Sequence, residues 1–412
     1  ILFVPFWHKN IVNCILNIMI MEVIPMSNLD KINAFVESKR EEMIETYKEV
    51  INMESYHSDV IGVRNIAHRF MELFEAEGFK CTLTHVGSDC SGPMLTGILG
   101  EDRPGKPIIF SGHMDTVHPT GKFGPNPFRI EDGKVYGPGV LDMKGGIVIA
   151  LYAVKALNAI GYDKHPIKII FAPDEEKLHE GANTAQLFLE AAKGGECAFN
   201  METGLLTNDI CISRRGKTEV KICVEGVSVH AGNDFYSGRN AIEELCFKVL
   251  EIRKLTSEEK GTTASTGLIS GGIASGTIPG HAECKVDLRS STVPAMEEMK
   301  KKIKEICDKT YIDGTTTTFE FTQEMLPFEY NEGVGKLAAF VQKVAKEDGF
   351  ADMPLKKIGG SSDAAYITLA GVPAICSCGI QGQFNHTEKE YAVLESLFTR
   401  TKLWADVIDH MA

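Results

Sequence analysis

The sequence predicts an α/β fold made of two domains, one of which is discontinuous. A chain of 412 residues is longer than one ordinary hydrophobic core accommodates. From about residue 28, helical patterns alternate with short β-branched runs bounded by Gly and Pro. Around Arg214 this pattern gives way to longer alternating strands, and it returns after Pro327.

The first region is predicted to form a mainly parallel sheet covered by helices. We expect strands at 107–110, 167–172 and 197–201, and a helix from Gly145 to Ile160 that Gly161 ends. Strands that alternate with crossover helices form parallel sheets, whose binding sites lie beyond the carboxyl ends of the strands. We therefore expect the polar residues that follow these strands to share one site.

The interrupting region is predicted to be a ferredoxin-like α+β domain. Strands are expected at 218–224, 283–288 and 315–321, and helices at 240–254 and 295–309, in a compact β-α-β-β-α-β order. The predicted catalytic domain therefore comprises residues 26–213 and 324–412, and the inserted domain comprises residues 214–323.

Residues 1–25 are predicted to be a non-native or disordered extension. Their apolar runs are interrupted by polar residues and fall short of the roughly 20 residues that span a bilayer. The chain begins with Ile, and Met26 opens a charged helical stretch, so Met26 is the expected start. A peripheral membrane anchor is the alternative for this segment.

Composition narrows the functional classes. The formal net charge of −13 argues against a nucleic-acid surface, which would need a basic face. The eleven cysteines are scattered without repeated Cys-x-x-Cys spacing, which indicates reduced thiols in a cytoplasmic protein. We expect neither a nucleic-acid partner nor a membrane partner.

Acidic and histidine residues follow each predicted strand of the first region, and two more segments add to them. In chain order they are His113 and Asp115, Asp142 in a glycine-rich turn, Glu175 and Glu176, Glu202, and His386. Two imidazoles and several carboxylates form the ligand set that a pair of hydrolytic metal ions needs. The pattern therefore indicates an enzyme.

Each segment alone also has an ordinary structural explanation. A His-x-Asp pair is common by chance, Asp142 would suit the cap of the following helix, and adjacent Glu175 and Glu176 would suit a solvated loop. After a buried strand, however, the two glutamates offer separate roles, with Glu176 as a metal ligand and Glu175 as a general base for water.

Together the segments resemble the M20 family of co-catalytic zinc metallopeptidases, and within it the glutamate carboxypeptidase branch. Three motifs carry the resemblance, namely Tyr136-Gly-Pro-Gly-Val-Leu-Asp142, Gly359-Gly-Ser-Ser-Asp363-Ala-Ala-Tyr366 and His386-Thr-Glu-Lys-Glu-Tyr391. The resemblance runs from about residue 40 to the C-terminus. It implies a zinc-peptidase-like catalytic domain interrupted by a lid domain that forms a homodimer.

The resemblance also assigns the metal ligands. It implies two Zn²⁺ ions per chain, with Co²⁺ or Mn²⁺ as substitutes, and it makes Asp142 the bridge between them. His113 and Glu202 would complete one site, and Glu176 and His386 the other. Glu175 would be the base, Asp115 would orient His113, and the Asp142–Met143 peptide would be cis.

Substrate contacts are implied for other residues. His230 would reach from the lid into the partner subunit's site and stabilise the oxyanion. Arg289 resembles the family's carboxylate-binding arginine, with an Arg–Asp surface pair as the alternative. The Gly360 and Ser361 backbone is a further candidate. Gly276 stands where many members carry Asn, which leaves the substrate open.

The predicted function is a dinuclear zinc-dependent exopeptidase that cleaves the C-terminal amide bond of small peptides or N-acyl amino acids. Terminal glutamate is one candidate substrate residue, and zinc-bound hydroxide with Glu175 as base is the expected mechanism. An N-acyl amino acid deacylase or a dipeptidase of the same family is one alternative. A catalytically inactive metal-binding interaction protein is an alternative of another class.

Overall fold

The computed structural model describes residues 26–411, so the predicted extension at 1–25 lies outside the described residues. In chain order the helices are α1 (Asn28–Ser38), α2 (Arg40–Asn52), α3 (Val60–Glu75), α4 (Lys144–Ile160), α5 (Thr184–Ala192), α6 (Ala241–Arg253), α7 (Val293–Asp308), α8 (Glu332–Glu347), α9 (Ala364–Leu369) and α10 (Leu394–Asp409). Within residues 26–411, no helix has both the length and the apolar character needed to cross a bilayer.

Residues 26–411 also form the strands β1 to β19. They are β1 (Lys80–Thr84), β2 (Met94–Leu99), β3 (Ile108–His113), β4 (Arg129–Glu131), β5 (Lys134–Tyr136), β6 (Ile167–Ala172), β7 (Cys197–Asn200), β8 (Gly204–Leu205), β9 (Ile210–Arg214), β10 (Gly216–Glu225), β11 (Val229–His230), β12 (Thr263–Gly271), β13 (Thr277–Ile278), β14 (His281–Ser290), β15 (Thr316–Met325), β16 (Leu355–Ile358), β17 (Ala374–Ile375), β18 (Gln381–Gln383) and β19 (Tyr391–Val393).

A six-stranded mixed sheet carries the predicted site. Its strand order is β1-β2-β6-β3-β7-β17. The pairs β6–β3, β3–β7 and β7–β17 are parallel, whereas β1–β2 and β2–β6 are antiparallel. Strands β3 and β7 are buried along their whole length, as expected for parallel strands covered by helices. The prediction of an α/β fold with a mainly parallel sheet is confirmed.

Helix α4 packs very closely against the end of β7. It is buried along most of its length and ends at Gly161, which has a left-handed φ of 74°. A Cβ at Gly146 would lie 1.9 Å from the carbonyl oxygen of Met201, the residue before Glu202. Glycine at this position therefore sets how near the helix comes to the segment that carries Glu202.

A second sheet of four antiparallel strands has the order β12-β14-β10-β15 and packs with α6 and α7. Its strands and helices follow one another as β-α-β-β-α-β, the ferredoxin-like order. It has its own core, built from residues such as Val220, Leu245, Val286 and Ile303. The sheet lies within residues 216–325, in the region where the sequence predicts the inserted domain.

Several strands were not predicted from the sequence, because they are short or exposed. Strand β12 is exposed at six of its nine positions, including all of the last five, so it lacks the alternation of its neighbours. Strands β4, β5, β19, β18 and β8 form a small sheet from segments of two or three residues. Segments this short carry no periodic signal.

Because of the close contact at Gly146, we expect any side chain there to destabilise the protein. Gly146→Ala should lower the free energy of unfolding by about 1–3 kcal/mol, because the added methyl group overpacks a buried contact. Denaturant unfolding measures this change. Gly267→Ala is the matched control, since nothing lies within 4 Å of a Cβ at that position. An equal effect of the two substitutions would contradict the prediction.

Candidate active site

The register of the parallel strands brings three predicted segments to one edge of the sheet. His113 is the last residue of β3 and lies opposite Ala172, the last residue of β6. Ser111 of β3 lies opposite Asn200, the last residue of β7. The turn that carries Glu175 and Glu176 and the segment that carries Glu202 therefore leave the sheet beside His113.

Asp142 lies between two histidines. Its Oδ1 is 3.2 Å from Nε2 of His113, and its Oδ2 is 3.2 Å from Nε2 of His386. Oδ2 also accepts a hydrogen bond from Nδ2 of Asn385 at 3.0 Å. The helix-cap explanation is wrong, because Met143 is the N-cap of α4 and no side chain caps it. The Asp142–Met143 peptide is cis, as the resemblance implied.

Two groups of three candidate ligands meet at Asp142. The ligand atoms of His113, Asp142 and Glu202 lie within 4.8 Å of one another, and so do those of Asp142, Glu176 and His386. Nε2 of His113 is 3.7 Å from Glu202 Oε1, and Nε2 of His386 is 3.3 Å from Glu176 Oε2. Glu176 Oε1 is buried, and among residues 26–411 it has no hydrogen-bond partner. Imidazole nitrogens and carboxylate oxygens in this arrangement fit divalent cations such as Zn²⁺.

The carboxylates of this site are crowded and buried. Burial raises the pKa of Glu175 well above its usual value, and the nearby Glu202 and Glu176 raise it further. Burial and repulsion from Asp142 raise the pKa of Glu176 to about 7. Bound cations would neutralise this concentration of negative charge and so favour the charged form of each ligand.

The pKa of His113 is also raised, because its acidic neighbours favour the charged imidazole. Burial alone would lower the pKa of its imidazole, but its hydrogen bonds to Asp115 and Asp142 and the charge of Glu175 raise it well above the usual value. A histidine must be neutral to bind a metal, so cation binding here would release a proton.

Asp115 serves both His113 and the glutamate turn. Nδ1 of His113 donates to the backbone carbonyl oxygen of Asp115 at 3.0 Å and lies 3.4 Å from its carboxylate Oδ1. The carboxylate oxygens accept backbone N–H groups from Glu175 at 3.2 Å and from Glu176 at 3.0 Å. One residue thus fixes the ring of a candidate ligand and the turn that carries the candidate base.

A cavity of about 360 Å³ opens onto these residues, and we call it the central cavity. It is lined by Val117, Asp142, Glu175, Glu176, Leu178, Glu202, Thr203, Arg214, Lys217, Arg289, Gln323, Gly360, Ser361, Asn385 and His386. The lining includes the predicted base, four of the five predicted metal ligands and all three predicted substrate contacts. His113 and Asp115 are buried beneath it.

Two of the predicted substrate-binding residues already make hydrogen bonds within the chain. Arg289 faces the central cavity, yet its Nε and Nη2 donate to the carboxylate of Asp287 at 2.9 and 3.2 Å. Both the predicted role and its ion-pair alternative therefore match the geometry. The carbonyl oxygen of Ser361 accepts a hydrogen bond from Arg214 Nη1 at 3.1 Å.

His230 is not brought together with the other predicted residues. It is exposed at the end of β11, and its Nδ1 accepts backbone N–H groups from Gly232 and Asn233 at 3.1 and 3.2 Å. It is absent from the lining of the central cavity in the described chain. A role at the site would require a second copy of the chain, and this role stays a prediction.

Arg214 is a buried cation that sequence reasoning missed. It ends β9, its Nε donates to the thiol sulfur of Cys376 at 3.2 Å, and its Nη2 lies 3.7 Å from Glu202 Oε2. Burial alone would lower its pKa, but Cys376, Glu202 and Cys211 raise it well above the usual value. The pair Arg214-Arg215 carries no motif by itself, so only the fold shows that the first arginine faces the central cavity.

Glu390 is a second residue with an unpredicted role, although it lies inside one of the quoted motifs. Its Oε1 accepts the backbone N–H groups of Leu141 and Asp142 at 2.9 and 3.1 Å. Its Oε2 is 3.0 Å from Nε2 of His118. Glu390 therefore holds the turn that presents Asp142 to both histidines.

His179 joins two loops of the site. Its Nδ1 lies 2.7 Å from Asp174 Oδ1, and its Nε2 lies 2.8 Å from Asp363 Oδ1. Asp174 precedes Glu175, and Asp363 follows the Gly-Ser loop. The pairing links residues 184 positions apart in the chain, so no local pattern predicts it.

The contacts of Glu390 predict a graded effect of substitution. Glu390→Ala should weaken zinc binding by about 10–100-fold, because Asp142 loses the acceptor that holds its backbone. Glu390→Gln keeps an oxygen that accepts both N–H groups, so its effect should be clearly smaller. Equilibrium zinc titration measures both variants, and equal affinities for wild type and Glu390→Ala would contradict the prediction.

Comparison with known proteins agrees with this geometry. Residues 109–410 match peptidase family M20/M25/M40. Carboxypeptidase G2 of Pseudomonas sp. (strain RS-16) is 28% identical over 370 residues, which cover 89% of this chain and 88% of the relative. Succinyl-diaminopimelate desuccinylase of Cupriavidus taiwanensis is 28% identical over 318 residues, which cover 69% of this chain and 80% of the relative.

Solved structures show the same fold. Aminopeptidase PepT from Bacillus cereus has a TM-score of 0.73 at 20% identity, covering 90% of this chain and 98% of the other. An M20 metallo-carboxypeptidase from Sulfolobus solfataricus has a TM-score of 0.72 at 15% identity, covering 89% of this chain and 98% of the other. With the family match over residues 109–410, the chain belongs to peptidase family M20/M25/M40 and is a hydrolase of the metallopeptidase and amidohydrolase class.

Proposed function

We propose that the protein is a dinuclear zinc-dependent exopeptidase that hydrolyses the C-terminal amide bond of small peptides or N-acyl amino acids. The observation that carries the proposal is the position of Asp142. Its two carboxylate oxygens each lie 3.2 Å from a histidine of a different ligand group, the arrangement that a bridging carboxylate requires.

In this proposal His113 and Glu202 would hold one cation, Glu176 and His386 would hold the other, and Asp142 would be a ligand of both. Divalent cations so bound supply Lewis acidity toward the substrate carbonyl oxygen and make water more acidic. Glu175 lies in the wall of the central cavity, and its pKa is raised by burial. It accepts a proton from the attacking water and delivers that proton to the nitrogen of the leaving amine.

The cationic side chains of the central cavity support the proposal that the substrate has an anionic terminus. Arg214, Lys217 and Arg289 all line the central cavity beside the ligand groups. Arg214 Nη2 is buried and has no hydrogen-bond partner within residues 26–411. A guanidinium that faces a cavity suits a planar carboxylate, which an exopeptidase substrate carries at its C-terminus. A second carboxylate, as in terminal glutamate, would use the remaining cations.

We also propose a homodimer formed through the four-stranded sheet. Apolar side chains are exposed on α6 and on β12, which is the edge strand of that sheet, namely Phe247, Leu250, Leu268 and Ile269. Large exposed apolar groups of this kind mark interaction surfaces. A second copy bound there would supply its own lid histidine, equivalent to His230, as the group that stabilises the oxyanion.

A deacylase is the main alternative. The name of the desuccinylase relative states removal of a succinyl group, which is also the hydrolysis of an amide bond. Such an enzyme would use the same ligands and the same base with a different acyl group in the central cavity. An inactive metal-binding protein is the alternative of another class, and retention of Glu175 beside all five ligand positions opposes it.

The proposal predicts turnover that depends on Glu175. Zinc-loaded protein beginning at Met26 should hydrolyse members of a panel of dipeptides and N-acyl amino acids ending in Glu, Asp, Arg, Leu or Gly. Glu175→Gln should lower kcat by at least about 100-fold while zinc content stays unchanged, because the residue acts as base rather than ligand. Amine release and elemental analysis give the two readouts.

The possible results of this experiment distinguish the proposed function from its alternatives. Preference for terminal Glu, lost in Glu175→Gln, would support the glutamate carboxypeptidase assignment. Turnover of N-acyl substrates alone would support the deacylase. Turnover that survives Glu175→Gln would contradict the assigned base, and zinc-loaded protein inactive on the whole panel would favour the non-enzymatic reading.

Arg289 should set affinity for the terminal carboxylate. Arg289→Leu should raise KM by about 10–100-fold with little change in kcat, since it removes binding that ground state and transition state share. Lys217→Leu is the comparison variant, because Lys217 lines the same cavity and lies 4.0 Å from Asp287 but lacks a planar guanidinium, so its KM should rise less. An unchanged KM in Arg289→Leu would assign Arg289 to its ion pair with Asp287 alone.

A further inference from the structure

A second group of metal-ligating side chains lies outside the central cavity. Asp348, Asp406 and His410 place one ligand atom each within 4.8 Å of one another. We call these three residues the C-terminal cluster. Asp348 is the C-cap of α8, Asp406 lies in the last turn of α10, and His410 is the C-cap of α10. None of the three lines the central cavity.

The carboxylates of the cluster lack donors. The side chain of Asp406 is 1% exposed, and neither of its oxygens has a hydrogen-bond partner within residues 26–411. Asp348 Oδ2 is also buried, and within the same residues it has no hydrogen-bond partner, although His410 Nε2 lies 3.4 Å away. A buried carboxylate without a partner is unfavourable, so three such oxygens in one place indicate a group that neutralises them.

The distances fit a cation better than a hydrogen bond. His410 Nε2 is 3.4 Å from Asp348 Oδ2, which exceeds the usual hydrogen-bond length of roughly 2.7–3.2 Å. This separation matches the spacing of about 3.3–3.5 Å between two ligands of one tetrahedral zinc ion. His410 Nδ1 lies 3.5 Å from Asp406 Oδ1 but donates to the backbone carbonyl oxygen of Asp406 at 2.9 Å, so Nε2 is the nitrogen left for an ion. The ligand pairs at Asp142 show the same range, from 3.2 Å to 3.7 Å for His113.

The surrounding backbone also favours a cation. Helices α8 and α10 both end at the cluster, and the C-terminus of a helix carries partial negative charge. The neighbouring Asp409 is already engaged, since its carboxylate accepts from Asn28 and its carbonyl from Lys164. A proton shared between Asp348 and Asp406 would give one hydrogen bond, and so would serve two of the three unpartnered oxygens at most.

We propose that Asp348, Asp406 and His410 bind a divalent transition-metal ion that joins the C-terminal ends of α8 and α10. Two carboxylates and an imidazole are ligands that suit Zn²⁺. His410 is 41% exposed, and the hydrogen bond from its Nδ1 to the Asp406 carbonyl oxygen leaves Nε2 as the nitrogen that would bind the ion. The site is structural and independent of the proposed hydrolysis.

Zinc counting on the whole chain tests the site. Wild type, Asp406→Asn, His410→Ala and the control Asp409→Asn are equilibrated with Zn²⁺, desalted and measured by elemental analysis. His410→Ala and Asp406→Asn should each hold one Zn²⁺ per chain fewer than wild type, and Asp409→Asn should match wild type. Zinc should also raise the Tm of His410→Ala less than that of wild type.

The outcomes decide the proposal even if no substrate is found. Equal zinc content in wild type and His410→Ala would overturn it, and this variant keeps the core because its side chain is half-exposed. Equal content together with a more stable Asp406→Asn would assign the cluster to a shared proton. Where turnover is measurable, it should stay within about twofold of wild type, and its loss together with one Zn²⁺ would place the missing ion at Asp142.

Discussion

The carboxylate of Asp142 is the constraint on which the rest of the site depends. Two ligand groups from distant segments meet there, and each histidine lies 3.2 Å from one of its oxygens. Bringing several buried carboxylates this close raises the pKa values of Glu175 and Glu176, so the site concentrates negative charge that bound cations or protons would relieve. The backbone that supports Asp142 must therefore be fixed against electrostatic repulsion. Glu390, through two N–H groups, and the close contact of α4 at Gly146 with Met201 provide that support.

Positioning in this protein is mostly done by backbone hydrogen bonds to buried carboxylates. Asp115 accepts the N–H groups of Glu175 and Glu176, and Glu390 accepts those of Leu141 and Asp142. A carboxylate that accepts two backbone donors fixes the turn to which those donors belong. The ligand-bearing turns are thus held by residues that are not ligands themselves.

The sequence was sufficient for the central strands and for the residues that the fold brings together around Asp142. Strand β3 ends at His113, and β6 and β7 end two residues before Asp174 and Glu202. Parallel strands present their carboxyl ends at one edge of the sheet, which predicts that these residues lie together. Arg214 and the His179–Asp363 contact could not be predicted, because each depends on segments brought together only by folding. The C-terminal cluster was even harder to predict from the sequence. Asp348 and Asp406 are separated by 58 positions and lie in separate helices, so no spacing connects them.

Chemistry and specificity are built from different parts of this fold. Four of the five proposed ligands and the proposed base follow strands of the six-stranded sheet or precede α4, whereas Lys217 and Arg289 come from β10 and β14 of the four-stranded sheet. A change in the second sheet can therefore alter which substrate is held without moving a ligand. Relatives whose names describe a carboxypeptidase and a desuccinylase both match this chain at 28% identity. In the proposed function, the choice between such substrates would depend on the cationic residues Arg214, Lys217 and Arg289, which line the central cavity beside the candidate ligands.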